Sequence, residues 1–407
     1  MTALSIRRAR AVDLSPVVGV AAIVAVGLVF LVCARLYDAH RGDFFYLADA
    51  FLHGRTWLDV KPGPQDVIAV DDRYYVPFGP FPAILLAPLV ALLGPQNADA
   101  LEPAVDALLA AAAAGLGWWL TIRGGVERLT DRLFLVALLA FSTPLWWITT
   151  RGGVWHTGQL VATVVTLAAL VEAFGRRRAV VLGLLAGAAF LSRAPLAFAV
   201  PFYAWAAAEG ARGRTANLRP GLERAVRSAV IVGVAAAPSL AFFLWYNAVR
   251  FGSPLESGYA LAVVPPFLEV QRQAGLFSLA HLSMNLDYLL IHLPRRVDAF
   301  PFFQPDGFGL SIFLTSPGFL VGALAPWRSS LVRALGLTTL AVLVPSLLYY
   351  GGGWLQYGYR YALDALPFLF AIVVVAVARR GMPTGGRLLI GLGILVNAGG
   401  IYWAYRL

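Results

Sequence analysis

Eleven apolar runs dominate this chain, at about 14–36, 103–122, 133–150, 157–175, 178–192, 194–209, 226–248, 308–325, 331–350, 361–378 and 386–404. Each is long enough, or nearly so, to cross a bilayer as a helix. Hydrocarbon offers backbone groups no partner, so a chain of this kind satisfies them within helices and buries what is left between helices. Only 13% of the 407 residues are charged, where a soluble domain has about 25%. No stretch has the composition of a disordered tail or a separate soluble domain. The expectation is all-α: one polytopic transmembrane domain over 1–407, with about 11 spans and short juxtamembrane helices. Arg7, Arg8 and Arg10 precede the first run as in a signal peptide. The run from Val17 to Ala34 is too long for a signal-peptide core and lacks a small-residue cleavage site, so it reads as a retained span.

The net charge of +10 comes from arginine, since Lys61 is the only lysine. A nucleic-acid binder gathers such charge on one soluble face. Here the arginines sit in short loops between apolar runs, which is an orientation signal, and no nucleic-acid partner is expected. Pro77–Leu93 is a twelfth, shorter run, interrupted by Pro77, Pro80, Pro82 and Pro88. With a cytoplasmic N-terminus and this run not crossing, 19 of the 32 basic residues fall on the cytoplasmic side. If it crosses, the bias reverses. The expected topology therefore has an exoplasmic loop at 37–102, with a non-crossing apolar segment, and a second at 250–307. All five histidines (His40, His53, His156, His281, His292) and most acids then lie outside. One cysteine, Cys33, excludes an intramolecular disulfide and a Cys-based metal site. No phosphate-binding GxxxxGK[ST] and no dinucleotide fingerprint occur. No internal repeat is evident, against an inverted-repeat transporter.

The segment Tyr37–Gly54, YDAHRGDFFYLADAFLHG, carries Asp38 and Asp43 where the chain leaves the first span. It reads as a short amphipathic helix on the bilayer surface, with Asp43 as N-cap and Gly54 as stop. A carboxylate held there suits chemistry on a lipid-linked substrate, although capping alone also explains Asp43. Further on, Asp71-Asp72-Arg73 reads as a tight turn between IAV and YYV rather than a divalent-cation site, because two adjacent carboxylates without further ligands bind metal poorly. Tyr75 faces either a sugar or the interface, and Lys61 is a solvated charge.

An acid-bearing loop after span one, followed by Tyr-x-Pro-x-Gly-Pro-x-Pro (Tyr75 to Pro82) opening an apolar run that ends in Leu-Gly, resembles the GT-C glycosyltransferases. These are polytopic enzymes that use polyprenyl-phosphate sugars, such as protein O-mannosyltransferases and the transferases that add aminoarabinose to lipid A. FSTPLWWITTRGGVWHTGQ, GLLAGAAFLSRAPLAFAVP, WYNAVRFGSPLESGYAL and GGGWLQYGYRYALDALPFL extend the resemblance over most of the chain. It implies a GT-C-type helical bundle in the cytoplasmic membrane, inverting transfer of one sugar from a polyprenyl-phosphate donor to an exoplasmic cell-envelope acceptor, and no cofactor besides that donor.

In that family the acid of the first exoplasmic loop is the catalytic base. The matching position is Asp43, with Asp38 as fallback. The leaving phosphate develops negative charge and calls for cations. Arg193 stands where the family has a basic residue before a small-Pro step. Arg360 lies between Tyr359 and Tyr361 with Trp354 upstream. Arg250 follows Asn247 and precedes Glu256. Tyr75, Arg151, His156 and Tyr359 complete the expected substrate pocket. The chain departs from its relatives in having Val76 where they place a lysine before the proline-rich step. The family's acidic metal motif is not evident either, so metal independence is expected. A lipid-linked-sugar flippase or transporter, or a non-catalytic lipid-binding protein, remains the alternative. Arginine-over-lysine usage with abundant alanine points to a high-GC bacterium, where decaprenyl phosphate and a cell-wall or lipoglycan acceptor would fit.

Overall fold

The computed structural model describes residues 15–37, 42–59, 67–211, 221–300, 302–353 and 355–405. Asp38, His40, Lys61 and Trp354 lie outside them. Helix α1 (Ser15–Arg35) is followed by α2 (Asp43–Leu52), a hairpin of β1 (Ile68–Val70) and β2 (Arg73–Tyr75), and α3 (Phe81–Leu93). The bundle continues with α4 (Ala98–Arg123), α5 (Leu129–Phe141), α6 (Leu145–Arg151), α7 (Val154–Phe174) and α8 (Ala179–Ser192). A 3₁₀ turn, Ala194–Ala199, leads into α9 (Val200–Ala211), then α10 (Leu222–Phe251). A second inter-helix region holds α11 (Pro266–Arg272), α12 (Leu282–Leu286), and β3 (Arg295–Arg296) paired with β4 (Phe303–Gln304). After α13 (Ile312–Thr315) and a 3₁₀ segment, Pro317–Leu324, the chain closes with α14 (Ser330–Leu348), a 3₁₀ turn Arg360–Asp364, α15 (Leu366–Arg380) and α16 (Thr384–Ala404).

The protein is multi-pass: among the described residues six helices are long and apolar enough to cross a membrane, and seven if α5 and α6, bent by 46° at Ser142–Pro144, form one span. Two expectations about spans are modified. The 133–150 run breaks at its Ser-Thr-Pro, because proline removes a helical donor. The 308–325 run is not one helix but α13 plus the 3₁₀ segment, interrupted at Ser316-Pro317. Conversely, the proline-rich run is helical from Phe81: Pro82 occupies the first turn, where its missing N–H costs nothing, and Pro88 is accommodated inside.

Helix α7 is the centre of the bundle, with 83% of its apolar window buried. It packs on α4 and α8. Small residues let helices approach closely where lipid supplies no hydrophobic drive. On α4 the buried face is Ala107, Ala110, Ala113, Ala114 and Gly117. On α8, Gly183 and Gly187 form a GxxxG pair: a Cβ at Gly183 would lie 2.4 Å from the Val232 carbonyl of α10, and one at Gly187 2.4 Å from Ser239 Oγ. That seam locks α8 to α10 and so sets their last residues, near Arg193 and Arg250, beside one another.

Around α2 lies a second core of Phe44, Phe45, Leu47, Ala48, Ala50, Leu58, Val76, Ala83, Leu86, Val90, Ala98 and Val154. Two details of the expectation for α2 are corrected. Its apolar face is covered by α3 and its neighbours rather than by lipid. Its N-cap is Gly42, at φ +61°, with Asp43 the first residue inside the helix. Asp71 and Asp72 form the two-residue loop of the β1–β2 hairpin, at φ +49° and +61°. Such a loop demands positive φ at both central residues, which aspartate tolerates.

Candidate functional site: an arginine-lined cavity

A cavity of about 890 Å³ opens where the ends of α8 and α10 meet the first turn of α7 and the 3₁₀ turn before α15. Arg193, Arg250 and Arg360, three residues separated by up to 167 positions (193 to 360), all line it. No Asp or Glu occurs among its described lining residues. The lining also includes the apolar side chains Phe190, Phe198, Phe243, Leu261, Val263 and Phe277.

Each arginine is held differently. Arg193 follows the last residue of α8 and forks onto Asp364, with Nε 3.2 Å from both carboxylate oxygens and Nη2 3.0 Å from Oδ2. Both partners are largely buried, so the pair is a fixed structural bond as well as a charge. Arg250, in the last turn of α10, donates among the described residues to neutral acceptors: Tyr246 O at 3.1 Å, Val76 O at 2.7 Å and Asn247 Oδ1 at 2.9 Å. Its guanidinium lies 3.6 Å from the Tyr246 ring centroid. Arg360 has its backbone clamped by two glutamines: its N–H donates to Gln356 Oε1 at 2.9 Å, and its carbonyl accepts from Gln159 Nε2 at 3.0 Å. Its guanidinium stands 4.6 Å above the Trp155 ring and 5.4 Å from that of Tyr361. Tyr361 also lies 5.5 Å from Arg193, so one ring separates two cations.

The Tyr75–Pro82 motif has a geometric explanation. A Cβ on Gly79 would lie 2.1 Å from the Leu191 carbonyl and 2.7 Å from that of Ser192. Only glycine lets this segment press against the end of α8, where it becomes a wall of the cavity beside Arg193.

Asp43 is buried, 1% exposed. It does not line the cavity, but Phe44, the next residue, packs on Gly158, which does. The other expected pocket residues lie elsewhere. Tyr75 is buried against Phe251, with ring centroids 5.3 Å apart. Arg151 stacks on Tyr37 and Trp147. His156 Nδ1 pairs with the Gly152 carbonyl at 2.6 Å and its ring meets Trp147. Tyr359 turns inward, its hydroxyl donating to Ser346 O at 3.1 Å, and leaves the cavity to Tyr361. For His156 the helix explains the difference: it follows the lining residue Trp155 on α7 and so points to another face.

Sequence reasoning missed three groups. Trp155 and Gln159 lie on the cavity face of α7. Tyr259 lines the cavity and interacts electrostatically with Arg193, Arg250 and Arg360. Burial pushes its phenol up to about 12, against the pull of Arg193 and Arg360, so it is a neutral donor at physiological pH. Its only sequence signal was its place in the motif ESGYAL. Third, Glu102 and Asp106 of α4 are buried beside the start of α7, where Thr157 Oγ1 lies 2.9 Å from Asp106 Oδ1.

The backbone of ArnT from Cupriavidus metallidurans, in a crystal structure bound to undecaprenyl phosphate, superposes on this chain with a TM-score of 0.52 over 96% of its residues, at 17% identity. The chain shares the fold of this ArnT. The chain spans 64% of the length of that ArnT. The apo form of the same ArnT gives a TM-score of 0.49 at 16% identity, covering 94% of this chain and 63% of that one. The Archaeoglobus fulgidus oligosaccharyltransferase AglB, in complex with an inhibitory peptide and a dolichol-phosphate, gives 0.44 at 14% identity, covering 97% and 56%. No protein-family model and no curated protein matches the chain.

Proposed function

We propose that this protein is a membrane glycosyltransferase that moves a sugar from a polyprenyl-phosphate donor to a cell-envelope acceptor on the exoplasmic side. The observation that carries the reading is the meeting, in one cavity, of three guanidiniums, of which Arg193 is paired with Asp364, with no carboxylate among the described lining residues and with apolar side chains around them. A lipid phosphate has that pairing of charge and grease. ArnT, bound to undecaprenyl phosphate in the matching structure, supports the lipid class of the donor.

In this reading Arg250 and Arg360 receive the phosphate, and Arg193, tied to Asp364, fixes the cavity's geometry and adds to its field. The Tyr259 hydroxyl donates to a phosphate oxygen. The acceptor hydroxyl arrives at the first turn of α7 and attacks the anomeric carbon. The bond from that carbon to the phosphate oxygen breaks and the polyprenyl phosphate departs with the electron pair, while the acceptor's proton goes to Asp43, which is buried beside Phe44 outside the cavity lining and has to be uncovered as the acceptor enters between α2 and α7. One direct displacement inverts the anomeric centre.

The test is purified protein in nanodiscs with a panel of polyprenyl-phosphate sugars, following sugar transfer and release of polyprenyl phosphate. The reading requires transfer by wild type and its loss in a folded Asp43→Asn variant. In sealed proteoliposomes, movement of the lipid-linked sugar between leaflets without transfer identifies a flippase instead.

A further inference from the structure

Gly42, the N-cap of α2, and Gly153, the N-cap of α7, are 111 residues apart in sequence (42 to 153), yet both backbone N–H groups point at one carboxylate. Glu102 Oε2 accepts from Gly42 N at 3.4 Å, and Oε1 accepts from Gly153 N at 3.2 Å. Thr157 Oγ1 stands 3.4 Å from the same Oε1. Glu102 is 2% exposed. Ala98, one helical turn earlier on the same face of α4, forms the seat of Gly42: a Cβ there would lie 2.3 Å from the Ala98 Cβ. Only glycine, with its positive φ, fits that seat.

The physical chemistry of this arrangement is specific. The first N–H groups of a helix lack intrahelical partners and carry the positive end of its dipole. A buried carboxylate across two such ends stabilises both and loses its desolvation cost only if both are there. The two helices that start at this carboxylate are the one that opens with Asp43 and the one that turns Trp155 and Gln159 to the cavity.

We propose that Glu102 is a positioning residue for transfer, fixing the start of α2, and with it Asp43, against the cavity-forming turn of α7. It acts through Asp43 and touches neither donor nor acceptor. This rests on the transferase reading above, with Asp43 as base.

The experiment measures kcat and donor KM for wild type, Glu102→Gln, Glu102→Asp, Asp43→Asn and the double variant Asp43→Asn/Glu102→Gln, in nanodiscs with a polyprenyl-phosphate sugar. Glu102→Gln keeps the shape and loses the charge, and kcat falls about 30-fold with donor KM changed less than threefold. Glu102→Asp keeps the charge but shortens the reach, and loses less than Glu102→Gln; it also supplies the reading should Glu102→Gln not fold. Because the residue acts through Asp43, the double variant is no slower than Asp43→Asn alone. Losses that multiply, or a Glu102→Gln kcat equal to wild type, overturn the positioning role and leave the transferase reading intact. A wild type inactive with every donor overturns that reading, and this proposal with it.

Discussion

The two long segments between apolar helices, 42–97 and 252–311, are of comparable length but are built differently. In the first, Phe44, Phe45, Leu47, Leu58, Val76 and Leu86 are buried together, and the hairpin and α3 close over α2. In the second, large apolar side chains face outward: Val263 is fully exposed, Leu255 85% and Phe300 76%. The first segment has its own core, and so it can hold a carboxylate in one place. The second supplies the outer lip of the cavity, through Leu255, Leu261, Val263 and Phe277. It reaches inward at Tyr259, whose ring packs on Phe78 and Tyr349 at centroid distances of 6.1 and 6.0 Å. A rigid wall and an apolar lip are different physical tasks, and their substitutions are expected to fail in different ways.

The sharpest break between the segments is chemical. On the proposed mechanism Asp43→Asn, which is isosteric, removes the base, and transfer is expected to fall about 10³-fold, the usual scale for general-base catalysis, with the thermal transition unmoved. An active Asp43→Asn enzyme would take the first segment out of the chemistry. Next comes stability. Phe45→Ala empties a packed core and should cost about 3–5 kcal/mol, whereas Phe300→Ala removes an exposed ring and should stay within about 0.5 kcal/mol. Equal shifts in thermal unfolding would erase the contrast between the two segments.

A smaller effect belongs to the cavity's cations. Arg250→Ala should raise donor KM about 30-fold, roughly 2 kcal/mol for a lost charge-assisted contact. Arg250→Lys should not restore it, since a lysine cannot span the Val76 carbonyl, Asn247 and a phosphate together. The smallest effect is a pH dependence in the second segment. Burial raises the Tyr259 phenol to about 12, above the value of about 10 in an unfolded chain. The folded state therefore holds this proton more tightly, and the stabilisation is complete below about pH 10 and lost as pH rises towards 12. Thermal unfolding from pH 9 to 11.5 should fall more steeply for wild type than for Tyr259→Phe, and parallel curves would show that the phenol is not buried.

Several of these features were legible in the residues. Gly79 and the GxxxG pair of α8 are written in the motifs, since glycine is needed wherever backbones approach within a Cβ's reach. The Asp71-Asp72 turn followed from local chemistry alone. Arg193, Arg250 and Arg360 stood out because guanidiniums beside apolar runs are costly and few. Glu102 was not legible as anything more than the end of a polar loop, because its meaning lies in two backbone N–H groups brought from distant parts of the chain. Nor did sequence separate Tyr359 from Tyr361, or His156 from Trp155 and Gln159. Those pairs differ only in the direction a side chain leaves a helical turn.

By itself the sequence determined that this chain is a multi-pass helical protein, because apolar runs of this length leave the backbone no other way to satisfy its hydrogen bonds. It also determined which side chains are too expensive to be incidental. Tertiary structure alone decided that three of those arginines share one cavity, that Asp43 lies behind α7's first turn rather than on the cavity wall, and that Glu102 joins two helix starts. Those facts depend on which helix faces meet, and helix faces are chosen by packing over long sequence separations, not by local residue preference.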